Sequence, residues 1–145
     1  MNAKYFTVDE FHCRDGTDYP AEWVDDRLAS LCGVLDLIRE AWGAPLVPVC
    51  GYRTAAYNAR LAAKSSGVAL NSQHVQGRAA DVAPLNPSRE RVAQLHALVK
   101  KLHREGVLPR MGGLGVYPHW IHVDTRAHRE GQLAEWVGAG VGSEQ

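Results

Sequence analysis

At 145 residues the chain suits one domain, long enough to bury a core without disulfide or metal staples. Its 16 basic and 16 acidic residues cancel, so no net field recruits nucleic acid or an anionic membrane, and any partner must be recognised by a local site. Cys13, Cys32 and Cys50 are an odd number with no C-x-x-C pair, which fits reduced thiols used as small apolar residues rather than a disulfide framework.

The opening stretch MNAKYFTVDEF has neither a long apolar run nor a small-residue cleavage site, so no export signal is expected. Nowhere does an apolar run approach the roughly 18 residues of a membrane helix. Between residues 21 and 42, Val24, Leu28, Leu31, Leu35, Ile38 and Trp42 recur at steps of four and three, the period of one helix face. Pro20 suits the first turn, and Gly43 with Pro45 stops the helix. LVPVC, residues 46–50, reads as a strand in which Pro48 marks an edge or an irregularity. Thr54 then caps a short helix, AAYNARLAAK.

A polar loop, SSGVALNSQ, delivers His74, and AADVA, residues 79–83, reads as a short buried strand carrying Asp81. The segment 86–106 opens with Asn-Pro-Ser, places Val92, Leu95, Leu98, Val99 and Leu102 on one face, and ends at Gly106, which predicts a second amphipathic helix. GGLGVY and WIHVD, joined through Pro118, are close enough for a hairpin, which parallel strands cannot make without a long crossover. The expectation is one domain over residues 1–145 of class α+β, with helices packed on an antiparallel sheet. Residues 138–145, GAGVGSEQ, lack the apolar content needed to dock and read as a flexible tail.

Chemistry concentrates in two stretches, SQHVQGRAAD (72–81) and HWIHVD (119–124). A hydrolytic zinc site takes three protein ligands and keeps a fourth position open. His74, Asp81 and His122 meet that count: a loop histidine and a strand aspartate converge from one short segment, and the third donor arrives on another strand. Gly77 gives the intervening turn its freedom. Taken singly, the same residues also fit a satisfied histidine and a turn aspartate, while His12, His96, His103 and His128 read as ordinary surface positions.

Ser72, His74, Gly77, Ala79 and Asp81 as S-x-H-x-x-G-x-A-x-D, with HVD from His122, resemble the zinc D-Ala-D-Ala carboxypeptidase family, which includes phage L-alanyl-D-glutamate endopeptidases and has the hedgehog/DD-peptidase fold. EFHCRDG (10–16), GYRTAAYN (51–58) and GGLGVYP (112–118) resemble segments of its phage-type branch in the same order, so the likeness covers nearly the whole chain. The resemblance implies one zinc ion on His74, Asp81 and His122. It also implies a peptide bond of bacterial peptidoglycan as substrate, cut as a carboxypeptidase or an endopeptidase, and a phage or prophage lysis role in which a cytoplasmic monomer waits for another protein to breach the membrane. Arg53 takes the place of an arginine facing the substrate or the developing oxyanion, and Ser72 and Tyr117 line the substrate. A binding module on the same fold that has lost activity is the alternative.

In one respect the chain departs from these relatives. They carry an acidic base three residues before the last ligand, or a histidine two before it; here those positions hold His119 and Trp120. His119 can serve as base, but in a regular strand it points away from His122, so an irregularity before Trp120 is required. Asp124, on the His122 face, is the rival base, a partner orienting a ligand imidazole, or a strand-end carboxylate.

Overall fold

The computed structural model describes residues 1–65, 68–69 and 71–141. Its strands are β1 (Leu46–Cys50), β2 (Ala79–Pro84), β3 (Gly113–Val116), β4 (Ile121–Asp124) and β5 (Ala134–Val137), and its α-helices are α1 (Ala29–Trp42), α2 (Ala55–Lys64) and α3 (Arg89–Arg104). The strands form one sheet in the order β1-β2-β4-β3-β5. The first four pair antiparallel, and β3 with β4 is the expected hairpin. β1 lies at the sheet edge with a register shift between Pro48 and Cys50, where a residue without an N–H costs the ladder least.

The α+β class stands, with one correction: the sheet is mixed, because β5, absent from the sequence reading, joins β3 in parallel. Its partner β3 precedes it by a long excursion through β4, which supplies the crossover that parallel pairing needs. The first residues of the segment expected as a tail make defined contacts. Gly138 donates to the Val116 carbonyl at 2.8 Å, the Gly140 carbonyl accepts from Arg89, and Val141 packs against the core. Residues 142–145 lie outside those described.

Alternation sorts the sheet into two faces. Ala80, Val82, Leu114, Val116, Ile121 and Val123 are buried with Leu31, Leu35 and Ile38 of α1 and Val92, Leu95 and Val99 of α3. Each such side chain stabilises the fold by about 1.5–3 kcal/mol on burial. The other face carries the polar residues, and its register is decisive: Cys50, Asp81, His122, Gly115 and Trp136 pair successively, one from each strand, in a single row across the sheet.

The caps follow the reading. Thr54 accepts from the Tyr57 amide and Ser88 from the Arg91 amide, both at 3.1 Å. The helix expected over 21–42 is continuous but not uniform: a 3₁₀ turn at Ala21–Trp23 and a π turn at Val24–Leu28 precede α1. The wide turn is where Arg27 lies 4.0 Å from the Trp23 ring and donates to the Gln76 carbonyl, so tertiary contacts set the local pitch. Among the described residues no helix is long and apolar enough to cross a membrane.

Candidate metal centre

His74 sits in a series of tight turns running straight into β2. Ser72 Oγ accepts from the His74 amide at 3.1 Å, and the Gly77 amide returns to the His74 carbonyl at 3.2 Å. Gly77 adopts φ +69°, and a Cβ there would lie 2.7 Å from the Trp23 ring and 2.8 Å from Tyr19 Oη. Tyr19 donates to the Gly77 carbonyl at 2.6 Å. The left-handed conformation and the close approach both demand glycine, and Tyr19 pins the turn from outside.

The His74 ring is oriented through Nδ1, which is 2.7 Å from the Gly51 carbonyl. Donation there leaves Nε2 as the free lone pair, 3.3 Å from Asp81 Oδ1. From the neighbouring strand His122 brings Nδ1 to 3.2 Å from the same oxygen, while its Nε2 lies 2.7 Å from Asp124 Oδ2. All three donors are buried: His74 is 3% exposed, Asp81 6% and His122 6%. Asp81 Oδ1 itself makes no hydrogen bond within the described structure, a costly arrangement for a buried carboxylate oxygen.

Electrostatics follow from this crowding. Burial opposes ionisation of Asp81, yet His74 and His122 outweigh it and hold the carboxyl well below the usual carboxylate range. Burial likewise opposes charge on His74, but Asp81 prevails and lifts the imidazole to about 10. Two imidazole nitrogens meeting at a buried carboxylate oxygen are donor types that zinc accepts. Each imidazole is also held through its other nitrogen, by a carbonyl or a carboxylate, as ligating histidines commonly are. These residues fit the metal.

Cys50, given no chemistry in the sequence reading, reaches this centre: its sulfur and donor atoms of His74 and Asp81 lie within 4.8 Å of one another. The sulfur approaches His74 Nδ1, at 3.7 Å, the nitrogen already directed at Gly51. His122 Nδ1 approaches the same Asp81 oxygen as His74 Nε2, at 3.2 Å and 3.3 Å, so two overlapping donor sets share His74 and Asp81. Burial raises the Cys50 pKa, but His74 and Arg53 outweigh it and the thiol is lowered overall.

The donors open onto a cleft of about 860 Å³ whose lining includes Arg53, Ser72, Tyr117, His119, Trp120 and Trp136. Arg53 donates through its amide to the His74 carbonyl at 3.1 Å and through its guanidinium to Asn58 Oδ1 at 3.3 Å. Its terminal nitrogen stands 3.9 Å from Asp81, and its buried Nε makes no hydrogen bond. Tyr117 stacks on Trp120 with centroids 5.3 Å apart and accepts from Trp136 Nε1 at 3.0 Å.

Between β3 and β4 the chain leaves strand geometry. The Tyr117 amide donates to the Trp120 carbonyl at 3.0 Å, and the exposed His119 lines this cleft and a neighbouring cavity. Asp124 has no exposure at all. It accepts from His122 and from the Arg126 amide (3.0 Å) and guanidinium (2.7 Å). Burial would raise its pKa, but His122 and Arg126 bring it down to about 2. Gly113, directly opposite, makes the room, since a Cβ there would run into the Asp124 carboxylate.

Trp136, Arg126 and Asn58 were not singled out from sequence. Asn58, 1% exposed, clamps Arg53 and the Ala69 carbonyl; a polar residue in the first turn and a half after the Thr54 cap was the available signal. Trp136 packs 4.8 Å from the His122 ring, and no periodic pattern announced it.

His74, Asp81 and His122 thus lie together at the floor of a cleft on one face of an α+β sheet. The chain belongs to the Peptidase M15 family, whose sequence pattern it matches over residues 4–124. It is 37% identical over 97 residues to the probable peptidoglycan L,D-endopeptidase MepK of Haemophilus influenzae, covering 66% of this chain and 44% of that protein. To the peptidoglycan L,D-endopeptidase MepK of Escherichia coli K12 it is 31% identical over 102 residues, covering 69% and 48%. The chain thus spans about half the length of these relatives. The crystal structure of the Serratia marcescens L-Ala D-Glu endopeptidase ChiX superposes with a TM-score of 0.52 at 21% identity, covering 70% of this chain and 85% of that one, a likeness of fold.

Proposed function

We propose that this chain is a zinc-dependent endopeptidase acting on the peptide stems or cross-links of bacterial peptidoglycan. The observation that carries the reading is the convergence of His74 Nε2 and His122 Nδ1 on the unsatisfied Asp81 Oδ1 at the floor of an open cleft. The MepK relatives, named as peptidoglycan L,D-endopeptidases, supply the substrate class. Endopeptidase action is favoured over carboxypeptidase action because the MepK relatives are named endopeptidases and two cavities border Asp81.

In this reading His74, Asp81 and His122 hold the ion. Bound zinc supplies Lewis acidity toward a carbonyl and a lowered pKa for water. Arg53, anchored by Asn58, presents a guanidinium beside Asp81 where negative charge develops on the carbonyl oxygen. His119, exposed at the cleft wall, takes and returns the proton. Asp124 holds the His122 ring by its far nitrogen, and its burial keeps it from the substrate. Tyr117 and Ser72 shape the cleft, Ser72 chiefly by fixing the turn that bears His74.

Mass spectrometry of soluble fragments from defined peptidoglycan, with and without chelator, tests the proposal and reads the bond cut. Release of peptide fragments that stops on chelation and returns with zinc is expected. Binding to peptidoglycan without release would favour an inactive binding module, a reading motivated by the missing carboxylate at position 119.

A further inference from the structure

Cys50 reaches the polar face of the sheet through an irregularity. Pro48 pairs with Val82 on β2, and an unbroken antiparallel ladder would then set residue 50 opposite Ala80, on the core face. The register shift between Pro48 and Cys50 pairs Cys50 with Asp81 instead, as a bulge re-aims a side chain. Asp81 is thereby flanked by two further donors, Cys50 on β1 and His122 on β4, with His74 facing it from the loop. Two observations point to a ligand on the Cys50 side. The sulfur and donor atoms of His74 and Asp81 lie within 4.8 Å of one another, and Asp81, 6% exposed, keeps Oδ1 without a hydrogen bond. Among the described residues the sulfur has only long contacts, 3.9 Å to the Gly51 carbonyl and 3.7 Å to His74 Nδ1. Half-buried Cys50 and Asp81 also line a cavity of about 380 Å³ beside the cleft, which gives an ion a way in.

We propose that Cys50, His74 and Asp81 form a second metal site, selective for soft, thiophilic cations such as cuprous or cadmium ion, and that its occupation excludes zinc because two donors are shared. The exclusion of zinc rests on the zinc reading above; the soft-cation site does not. Thiolate is the donor type that draws soft cations, while two imidazoles and a carboxylate suffice for zinc. Once the thiol gives its proton to solvent on binding, the Cys50 set carries two negative charges, against one for the His122 set. Arg53, 3.9 Å from Asp81, offsets the excess when the cation is monovalent.

Cadmium is the probe, because its bond to a thiolate gives an ultraviolet charge-transfer band that imidazole and carboxylate do not. Cys13 and Cys32 are buried in the core, so the band reports Cys50. The metal-free chain should take up cadmium with that band. Cys50→Ser should abolish it, leave zinc uptake unchanged, and weaken cadmium binding by at least about a hundredfold, more than the loss of a ligand's outer partner costs. His122→Ala should do the reverse, keeping the band and losing zinc. In wild type, which needs no variant to fold, cadmium should shield Cys50 from alkylation, read by mass spectrometry of its peptide, and zinc should not. Cadmium added to the zinc-loaded chain should release the zinc. Absence of the band in wild type, its persistence in Cys50→Ser, or equal shielding by zinc overturns the second site. Loss of the band in His122→Ala as well would mean one four-donor site and overturns it too, and cadmium bound beside retained zinc overturns the exclusion. If the chain takes up no zinc, the zinc reading falls alone, and the band in wild type against Cys50→Ser still decides this site.

Discussion

His119 lies three residues before His122 in the turn that precedes β4. The turn closed by Tyr117 and Trp120 breaks alternation, and His119 borders both cavities. His119→Ala should keep zinc and lose about a hundred- to ten-thousandfold in turnover, the usual worth of a general base. His119→Glu should recover part of it and move the acidic limb of the pH profile downward, because carboxylates ionise at lower pH than imidazoles; an unmoved limb would remove the base assignment. Asp124 has a different signature. Its folded pKa, about 2, lies below the ordinary value of 3.8, so its contribution is present above the unfolded pKa and lost as pH falls through about 2. In chelator, Asp124→Asn should cost on the order of 2 kcal/mol at neutral pH. The gap to wild type should narrow below about pH 4, and a gap independent of pH in denaturant titrations would count against the ion pairing. That His74, Asp81 and His122 would come together was expected chiefly from the resemblance of their motifs, since their spacing alone also fits a satisfied histidine and a turn aspartate. Asp124's pairing was legible only as one of three options, since Arg126, which decides among them, carries no pattern.

At the level of elements, the long helices and the four antiparallel strands were readable because their apolar period is sustained or their turns are marked by Pro and Gly. β5 was not: AEWV is four residues, alternates half-buried and exposed, and lacks a β-branched run. What the sheet gains from it is specific. Gly115 lies in register between His122 on β4 and Trp136 on β5, and a Cβ at Gly115 would collide with the Trp136 indole. A missing side chain at Gly115 thus lets an indole from beyond the family-matched residues cross over and pack on the His122 imidazole. Trp136→Ala should weaken zinc binding about ten- to a hundredfold in chelator competition, the scale seen when support of a metal-ligating histidine is lost. Gly115→Ala should do similar harm alone and little more once Trp136 is alanine, because the slot is then empty. Additive losses in that cycle would mean that the glycine serves something other than the indole.

Across the whole molecule the centre joins parts distant in sequence, with His74 from a loop, Asp81 from β2 and His122 from β4. Hydrogen bonds already seat the loop, from the Arg53 amide to the His74 carbonyl and from the Tyr19 hydroxyl to the Gly77 carbonyl. The core beneath the sheet is independent of the donors, since its residues occupy the opposite face. The fold should therefore survive metal removal, unlike small domains that are unfolded without zinc, yet be measurably less stable. An ion that binds the native state at a hundred times its Kd adds about 2.7 kcal/mol. For a domain of this size that corresponds to about 5–10 °C in Tm. Calorimetric scans with zinc and with chelator should differ by that amount while far-ultraviolet circular dichroism stays the same. Alanine at His74, Asp81 or His122 should abolish the difference and lower zinc content from about one per chain, whereas His119→Ala should preserve both. If Cys50 rather than His122 completed the site, Cys50→Ser would erase the zinc-dependent shift and His122→Ala would leave it. The two donor sets share His74 and Asp81, so that pair of variants separates them, and the approach of His74 Nε2 and His122 Nδ1 to one Asp81 oxygen leads us to expect the loss in His122→Ala.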